Sequence, residues 1–317
     1  MKNIALAEWY VVVNPASGTG RGSRDWPQIR SLLETHLPSF DFDLTQRKYH
    51  AVELTVKAIR KGYRRIICVG GDGTHNEVVN GVFIQDVVST TDITLGFIGV
   101  GTGNDWAKTY MLPTDYQESV MAIKECSTFV QDVGRIDFFE SRLPQQRYIA
   151  NMAGVGFGAE VALKVNKLKE KGQKGKFLYL FSIVKTLFTY KPSVANVRFD
   201  ELSYEGEVFN LTLGIGKYNG GGVMQAPEAD PGDGLFDITF IKKISRLSLL
   251  TNMSKLYNGN ILKHPKVLSY QSAVVEVSSS SDFNLEVDGE SLGTSPFTFS
   301  IVPKCIKVVV GGGFSSN

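Results

Sequence analysis

Two patterns of apolar and polar residues divide the chain. Up to about residue 130, short apolar runs rich in β-branched residues alternate with helix-like segments; the runs are Trp9–Val13, 65–69 and 94–100. The helix-like segment 51–62 ends on Gly62, a residue type that suits a helix C-terminus. Strand, helix and strand in this order predict a parallel sheet with helices packed against it.

From about residue 133 the pattern changes to alternation with a period of two. Phe283, Leu285 and Val287 point to one face of a predicted strand, since alternate side chains of a strand share a face. Runs of this kind predict an antiparallel, sandwich-like or barrel-like domain. The strand candidates are 210–216, 235–241, 272–278, 283–289, 297–302 and 305–310.

The predicted fold class is therefore α/β plus β. A three-layer α/β domain with a parallel sheet is expected over residues 1–132, and an antiparallel β-sandwich-like domain over residues 133–302. Because no repeat or low-complexity linker separates the two, we expect a fixed interface and a ligand cleft between them.

Composition and charge narrow the function. The 317 residues are 43% hydrophobic and 21% charged, as in folded globular proteins, and the formal charge of +2 gives no whole-molecule attraction to nucleic acid. The three cysteines have no metal-type spacing, and the first residues lack a secretory apolar core, so we expect a cytoplasmic protein. No apolar run reaches the roughly 20 residues that span a bilayer.

Each amino-terminal strand is followed by a glycine-bearing loop with polar residues. The loops are NPASGTGRG (14–22), GGDGTHNE (70–77) and GTGNDWAK (101–108). Loops at the carboxyl ends of parallel strands line the ligand crevice, and glycine lets backbone N–H groups approach an anion closely. One such loop could be an ordinary turn, but three together predict a phosphate-binding cradle. Neither the P-loop nor the dinucleotide fingerprint is present.

These loops resemble the motifs of the diacylglycerol kinase catalytic-domain superfamily, which also includes sphingosine and ceramide kinases and bacterial lipid kinases. Later segments are similar to its second-domain motifs: NMAGVGFGAEV (151–161), APEADPGDGLFDI (226–238) and FNLEVDGE (283–290). The resemblance covers nearly the whole chain. The GGDGT element alone is less specific, because NAD kinases share it.

The resemblance implies that ATP binds in the cleft between the two domains. It also implies that the final strand returns to the first domain, which would add residues from about 303 to 317 to it. The implied ATP-binding residues are Asn14, Pro15, Ala16, Ser17, Gly18, Thr45, Gly70, Gly71, Asp72, Gly73, Thr74, His75, Asn76, Thr102, Asn104 and Asp105.

Three acids are candidates for the chemistry around this nucleotide, and a fourth is interpreted as structural. The resemblance assigns the general base to Glu290, and we expect Asp288 to support it, either in catalysis or by holding the Asp-Gly turn. Asp72 is expected to meet ATP-bound Mg²⁺ and to cap the helix that begins near Thr74. Glu77 is expected only to complement the dipole of that helix.

A second cation site is implied by the resemblance alone. Bacterial members hold a structural Mg²⁺ at the positions of Asp230, Asp233 and the carbonyl of Leu235, and oxygen ligands with glycine between them suit that ion. An acidic surface loop without metal explains the same residues equally well. None of the four histidines is interpreted as a metal ligand.

Residues 164–191 hold eight lysines and one acid. Within this segment a lysine-rich part is followed by an apolar stretch. Such a segment suits transient contact with an anionic membrane surface, which would make the protein peripherally membrane-associated. A solvated loop followed by a packed helix explains it as well. In either case the segment is the candidate wall of an acceptor pocket.

The sequence thus predicts an ATP- and Mg²⁺-dependent lipid kinase that phosphorylates a hydroxyl of a diacylglycerol-like or other amphiphilic lipid alcohol. Two alternatives stay open: an NAD kinase-like enzyme acting on a soluble substrate, and a catalytically silent nucleotide- or lipid-binding regulator. The identity of the acceptor and the existence of a homodimer are both left open.

Overall fold

The structure is a computed structural model that describes residues 7–170, 177–200, 202–280 and 283–315. The chain forms two compact units. The first comprises Met1–Asp132 with Lys304–Asn317, and the second comprises Val133–Pro303.

The first unit alternates strands and helices along the chain. Its elements are β1 (Trp9–Val13), α1 (Ser17–His36), β2 (Phe40–Leu44), α2 (His50–Lys61), β3 (Arg65–Gly70), α3 (Asp72–Ile84), a 3₁₀ turn (Thr90–Asp92), β4 (Thr94–Gly99), α4 (Asp105–Thr109) and α5 (Tyr116–Glu125). The strands pair in the order β2-β1-β3-β4, all parallel, as the sequence pattern predicted.

Helices cover both faces of this parallel sheet. On one face, Val11 of β1 and Ile67 of β3 pack with Ile29 of α1 and Ile123 of α5. On the other face lie α2 and α3, which approach so closely that a Cβ on Gly81 would meet Thr55. Because the central strands are buried on both sides, they are almost continuously apolar, as parallel strands usually are.

The second unit consists mostly of strands. Its elements are β5 (Thr128–Glu140), β6 (Leu143–Ile149), β7 (Met152–Gly156), α6 (Phe157–Glu170), α7 (Phe177–Thr189), β8 (Ser193–Phe199), β9 (Leu202–Gly214), β10 (Tyr218–Asn219), β11 (Val223–Met224), β12 (Phe236–Lys242), α8 (Arg246–Asn252), 3₁₀ turns (Met253–Leu256 and Asn260–Lys263), β13 (Val267–Ser272), β14 (Val274–Ser279), β15 (Asn284–Val287) and β16 (Glu290–Val309). The first residues of β5 and the last of β16 belong to the first unit.

The strands of the second unit close on themselves through antiparallel pairs. The circuit runs β9, β7, β15, β16, β14, β8 and back to β9, and β12 and β13 extend it from β9. The predicted inward face is confirmed, since Phe283, Leu285 and Val287 are all buried in its core. Closure of this kind removes most exposed strand edges.

The carboxyl-terminal strand differs from the pattern-based prediction in length. The candidates at 297–302 and 305–310 form one strand, β16, which also includes Glu290 and the residues that follow it. Near its end, Lys307 and Val308 pair in parallel with Thr94 and Leu95 of β4. The apolar pattern alone did not reveal that the two candidates are continuous, because Pro303 and Lys304 interrupt it, and Lys304 has a left-handed φ of 44° within the strand.

Candidate functional site

The first two glycine-bearing loops are joined by side-chain hydrogen bonds. Asn14 lies directly after β1, and its amide Nδ2 donates to the Thr74 hydroxyl at 2.8 Å. The amide oxygen of Asn14 accepts from the Ala16 N–H at 3.0 Å, while the Ser17 hydroxyl lies 3.4 Å from that of Thr74. The structure therefore brings together residues that are about 60 positions apart in sequence.

Glycines allow the third loop to approach the other two. A Cβ on Gly18 would lie 2.0 Å from the Val100 carbonyl oxygen, and a Cβ on Gly101 would lie 2.6 Å from the Gly71 Cα. Since neither contact leaves room for a side chain, the glycines follow from the convergence of three backbones. The three loops predicted to form one cradle are adjacent in the first unit.

The first loop also contains a run of left-handed backbone. Gly18, Thr19 and Gly20 have φ values of 60°, 62° and 90° immediately after the first residue of α1. The left-handed region costs a threonine roughly 1 kcal/mol or more, and such outliers concentrate at ligand sites. Pro15 contributes its carbonyl, which accepts from the Ser23 N–H and so holds the loop to the helix. Thr45, buried just after β2, donates its N–H to Val13 in the adjacent strand.

Asp72 caps a different helix from the one predicted. Helix α3 begins at Asp72 itself, and in the part of the chain that the structure describes its N-terminus has no side-chain cap. The Asp72 carboxylate instead accepts from the Trp106 N–H at 3.0 Å, at the N-terminus of α4. The prediction missed this because the partner lies 34 residues away. The contact fixes the second loop to the third.

Asp72 and Asp105 lie on either side of Gly103. A Cβ on Gly103 would be 3.1 Å from a carboxylate oxygen of each. Burial, together with the charge of Asp105, raises the pKa of Asp72 to about 6. Lys108 lies 2.6 Å from Asp105 and balances one of the two charges. A pair of adjacent carboxylates, one destabilised by its surroundings, fits a divalent cation that would favour the ionised forms.

Several of the implied ATP-binding residues are buried, and His75 and Asn76 are the most deeply buried of their polar side chains. The side chains of His75 and Asn76 are both 1% exposed. The His75 ring packs against that of Trp106 with centroids 4.0 Å apart and the planes tilted by 31°, and burial lowers the pKa of His75 to about 3. In this conformation, neither the His75 nor the Asn76 side chain is accessible to a nucleotide. By contrast, Thr102 is exposed, and Asn104 is half-buried with a left-handed φ of 49°.

Glu77 has a structural function that the sequence analysis did not predict. It lies more than one turn into α3, so its expected interaction with the dipole of that helix is wrong. Its carboxylate accepts from the backbone N–H groups of Tyr49 and Ala51, at the start of α2. Glu77 thus satisfies N–H groups that helix formation leaves without partners.

In the second unit, Asp288 anchors a turn. Its carboxylate accepts from the N–H groups of Ala150, Asn151 and Met152 at 2.8–3.1 Å, and its φ of 47° is left-handed. Of the two supporting roles considered for Asp288, holding the turn is therefore the one with direct contacts. The carboxylate is only 7% exposed.

Glu290 follows this turn. One side chain that the sequence analysis did not single out contacts the Glu290 carboxylate, and two others hold the backbone of the preceding Gly289. Arg147 donates to the Glu290 carboxylate at 3.0 Å. Glu286 accepts from the Gly289 N–H, and Asn166 of α6 donates to the Gly289 carbonyl at 3.1 Å. Arg147 and Asn166 lie more than 120 positions from this turn, so no local pattern could have found them, whereas Glu286 lies within the FNLEVDGE segment itself.

The acidic loop after β11 is held by its own backbone. Asp230 accepts from the Gly232 N–H, and Asp233 accepts from the Leu235 N–H. Nearby, burial and the charge of Asp233 raise the pKa of Asp237 to about 6. Over the described ranges, no group of three or more histidine, cysteine, aspartate or glutamate side chains is arranged to hold a metal ion. The cation at Asp230, Asp233 and Leu235 therefore stays a prediction.

The Lys-rich segment lies only partly within the described residues, since 171–176 fall outside them. The flanking helices α6 and α7 line a polar cavity of about 360 Å³. In it, Glu160 pairs with Lys164 at 3.3 Å and accepts from Asn284 at 2.9 Å. The buried Tyr190 hydroxyl has no hydrogen-bond partner among the described residues. Within those residues, no helix is both long and apolar enough to cross a membrane.

Comparisons with known proteins agree with this two-part architecture. Residues 8–136 match the diacylglycerol kinase catalytic domain, and residues 151–310 match the YegS C-terminal NAD kinase beta sandwich-like domain. A diacylglycerol kinase of Staphylococcus haemolyticus (strain JCSC1435) is 29% identical over 298 residues, which are 94% of this chain and 86% of the relative.

Solved structures show the same fold at low sequence identity. A crystal structure of a diacylglycerol kinase from Bacillus anthracis strain Sterne superposes with a TM-score of 0.73 at 18% identity, covering 99% of this chain and 100% of the other. Yeast NADH kinase complexed with NADH superposes with a TM-score of 0.53 at 10% identity, covering 97% and 84%.

The fold is therefore the two-domain type that diacylglycerol kinases and NAD kinases share, with a carboxyl-terminal β-sandwich-like domain. The chain belongs to the diacylglycerol kinase catalytic-domain superfamily, which confirms the resemblance read from its motifs. It is a kinase.

Proposed function

We propose that this kinase uses ATP and Mg²⁺ to phosphorylate a hydroxyl of a diacylglycerol-like or other amphiphilic lipid alcohol at a membrane surface. The observation that carries the proposal is the convergence of the three loops: Asn14 and Ser17 contact Thr74, and Gly71 contacts Gly101. Backbone N–H groups at helix starts and a polar rim are what a triphosphate requires.

The proposal assigns the cation to the carboxylate pair of the first unit. Asp72 and Asp105 would hold the Mg²⁺ that accompanies ATP, directly or through water. Such an ion neutralises phosphate charge, and its presence would favour the ionised form of Asp72, whose pKa is raised in its absence. The Asp230 loop would hold a second, structural cation outside the reaction.

Glu290 is the proposed general base. The acceptor hydroxyl would give its proton to a Glu290 carboxylate oxygen while its own oxygen attacks the γ-phosphorus. The bond from that phosphorus to the β–γ bridging oxygen would break, and ADP would leave with the bond electrons. The reaction requires Glu290 to meet a nucleotide held by the first unit. Asp288 and Arg147 would hold the carboxylate in place.

The polar cavity beside α6 supports an acceptor with several polar atoms. It offers a carboxylate at Glu160, an ammonium at Lys164 and a hydroxyl at Tyr190. Diacylglycerol headgroups combine a free hydroxyl with ester carbonyls, so both donors and acceptors would find partners. The names of the relatives favour diacylglycerol as the first acceptor to test.

The test is ADP release from Mg·ATP with mixed micelles of diacylglycerol, ceramide, a sphingoid base or phosphatidylglycerol, and with NAD in solution. Glu290→Gln removes the base while keeping size and hydrogen bonding. Glu276→Gln is the matched control, since Glu276 is also an ion-paired glutamate of the second unit, 3.2 Å from Arg198.

We expect turnover on one lipid, a loss of about 10²–10⁴-fold in Glu290→Gln, and unchanged turnover in the control. Full activity of Glu290→Gln would exclude the proposed base. If NAD is the only acceptor that is phosphorylated, the protein is a kinase of soluble substrates. ATP binding without turnover of any acceptor would favour the regulator.

A further inference from the structure

Helix α7 has an unusual distribution of polar and apolar side chains. Ser182 and Thr186 are buried, at 2% and 0% exposure. On the opposite side, Phe181, Val184 and Phe188 are 61%, 39% and 57% exposed. Their spacing of three and four residues places these three on one stripe of the helix.

This distribution differs from that on an ordinary surface helix, because α7 has an exposed apolar stripe in addition to Leu187, which is buried in an apolar cluster. Ordinary surface helices turn their apolar stripe to the core and their hydroxyls to water. Single exposed apolar residues are common and need no explanation, but a stripe with two phenylalanines is different, because buried hydroxyls lie behind it. A contiguous exposed apolar stripe of this kind marks a surface that gains free energy when apolar material covers it.

The exposed stripe continues onto α8. The Leu247 side chain is 73% exposed, and the guanidinium of its neighbour Arg246 lies 6.0 Å from the centre of the Phe188 ring. Leu187 of α7 and Leu249 of α8 pack on the same apolar cluster, so both helices are fixed to one support. We call Phe181, Val184, Phe188 and Leu247 the outer patch.

The charged side chains of α7 and α8 have one sign. Lys185 is exposed between Val184 and Phe188, and Arg246 precedes Leu247. The sequences of α7 and α8 contain no aspartate or glutamate. Apolar side chains with a basic border fit an anionic lipid surface, where rings enter the interface and cations stay with the headgroups.

We propose that the outer patch docks the protein onto a bilayer that contains anionic phospholipid. This inference rests on the proposed lipid kinase activity only for its purpose, because the patch would bring the enzyme to a surface in which its acceptor is dissolved. A second copy of the chain would supply apolar cover but would bring like charges together, so we assign the patch to the bilayer.

The first experiment measures binding of the protein to vesicles that lack an acceptor lipid, in the absence of ATP. Vesicles of phosphatidylglycerol with phosphatidylcholine are compared with pure phosphatidylcholine in a flotation assay. The test variant is Phe181→Ser/Phe188→Ser. The control is Phe139→Ser/Leu202→Ser, two residues that are 43% and 59% exposed and lie on β5 and β9.

We expect the wild type to bind the anionic vesicles and the test variant to lose about tenfold or more in partition coefficient, because each phenylalanine buries apolar area. The control should stay within about twofold of the wild type. A charge variant, Lys185→Gln/Arg246→Gln, should lose binding to anionic vesicles and reduce its salt dependence. Circular dichroism verifies that each variant is folded.

A second measurement locates the contact without weakening it. Trp9, Trp26 and Trp106 are at most 9% exposed, so the tryptophan of Phe181→Trp would report from the surface. Vesicles with brominated acyl chains should quench this added fluorescence when the protein binds. Binding without quenching would place another face on the membrane and overturn the proposal.

The outcomes separate this inference from the proposed function. Unchanged vesicle binding by the test variant would overturn the docking surface whether or not the protein proves to be a lipid kinase. If sedimentation velocity shows that the wild type is a dimer and the test variant is a monomer that still binds vesicles, the patch is an interface with a second copy of the chain. If the test variant loses vesicle binding but the wild type phosphorylates no lipid, the docking surface is supported and the proposed reaction is excluded.

Discussion

Arg147 donates to the Glu290 carboxylate at 3.0 Å, and both side chains are largely shielded from water, at 14% and 17% exposure. The two residues are 143 positions apart, on β6 and β16. A charged pair that is partly buried and fixed at both ends holds its members more strictly than a surface pair. Arg147 therefore fixes the position of the Glu290 carboxylate, the proposed base.

Replacing Arg147 with glutamine should lower kcat by about 10–100-fold, because a carboxylate displaced by an ångström loses its alignment with the reacting hydroxyl. The KM for ATP should stay within about twofold, since the nucleotide loops belong to the first unit. Steady-state kinetics on the lipid that proves to be the acceptor measure both. Arg147→Lys should recover part of kcat through a single donated hydrogen bond.

The matched control for this variant is Arg198→Gln. Arg198 also pairs with a glutamate of the second unit, Glu276 at 3.2 Å, but the two side chains are 64% and 50% exposed. We expect no change in kcat from it. An equal loss of kcat in both variants would mean that Arg147 acts through general stability and not through Glu290.

Gly73 offers a test of the cradle in which stability and binding should change in opposite directions. Within the part of the chain that the structure describes, a Cβ on Gly73 would meet no atom within 4 Å, and the residue lies in the first turn of α3. Alanine should therefore stabilise the fold by about 0.5 kcal/mol. If phosphate occupies that space, ATP affinity should fall by about tenfold. Thermal melts and calorimetric titration with Mg·ATP measure the two effects.

Gly101→Ala is the contrasting variant at the same loops. Its Cβ would lie 2.5 Å from the Asn104 amide oxygen and 2.6 Å from the Gly71 Cα, so it should destabilise the protein by about 1–3 kcal/mol. Unchanged ATP affinity in a stabilised Gly73→Ala protein would show that the nucleotide does not approach Gly73.

The nucleotide loops could be predicted because their information is local. A strand, a glycine-bearing loop and a helix start are adjacent in sequence, and parallel strands bring their carboxyl ends to one edge. The contacts from Asn14 to Thr74 and from Gly71 to Gly101 follow from that geometry. The inward face of 283–287 could be predicted for the same reason, since alternation is a local pattern.

The supports of these loops could not be predicted from the sequence. Glu77 looked like a residue that acts on its own helix, yet it caps α2 from 26 residues away. Asp72 looked like a cap of α3 and is instead bonded to Trp106. Carboxylates accept from whichever free N–H groups the packing brings near, and which helix start lies near is a property of the tertiary structure.

The His75 side chain should stay neutral and act only as a packed aromatic ring in the protein interior. Both of its ring nitrogens lack a hydrogen-bond partner among the described residues, and burial lowers its pKa to about 3. Because the unfolded chain binds a proton at this histidine near pH 6.5 and the folded chain does not, the free energy of unfolding is highest above pH 6.5. It decreases as the pH falls toward 3. His75→Leu should be more stable by about 1 kcal/mol at pH 7.5, with a gap that widens below pH 6.5.

Urea unfolding of the two proteins at pH 7.5, 6 and 5 measures that gap. His36→Leu, at a half-buried position at the end of α1, is the control for removing a histidine. ATP affinity should be unchanged in His75→Leu. A large loss of affinity would instead support direct contact between the His75 side chain and the nucleotide, as the family resemblance implied.

Glu286 should make the stability of the second unit depend on pH in the direction opposite to an ordinary ion-paired carboxylate. Burial, reinforced by the charge of Asp288, raises the pKa of Glu286 to about 7, although the Gly289 N–H and Asn219 stabilise its ionised form. Because the folded carboxyl holds its proton more tightly than the unfolded one, stability present below pH 4.5 is lost as pH rises through 7. The loss is up to about 3 kcal/mol.

Glu286→Gln removes this titration and keeps an oxygen to accept from Gly289. The variant should therefore gain stability relative to the wild type between pH 5 and pH 8, by about 2 kcal/mol in urea unfolding. Glu276→Gln, at an exposed position, should show the same difference from wild type at both pH values. If the Glu286→Gln gap is also constant, the carboxyl is already ionised at pH 5, and the turn that carries Glu290 is held by a charge throughout the physiological range.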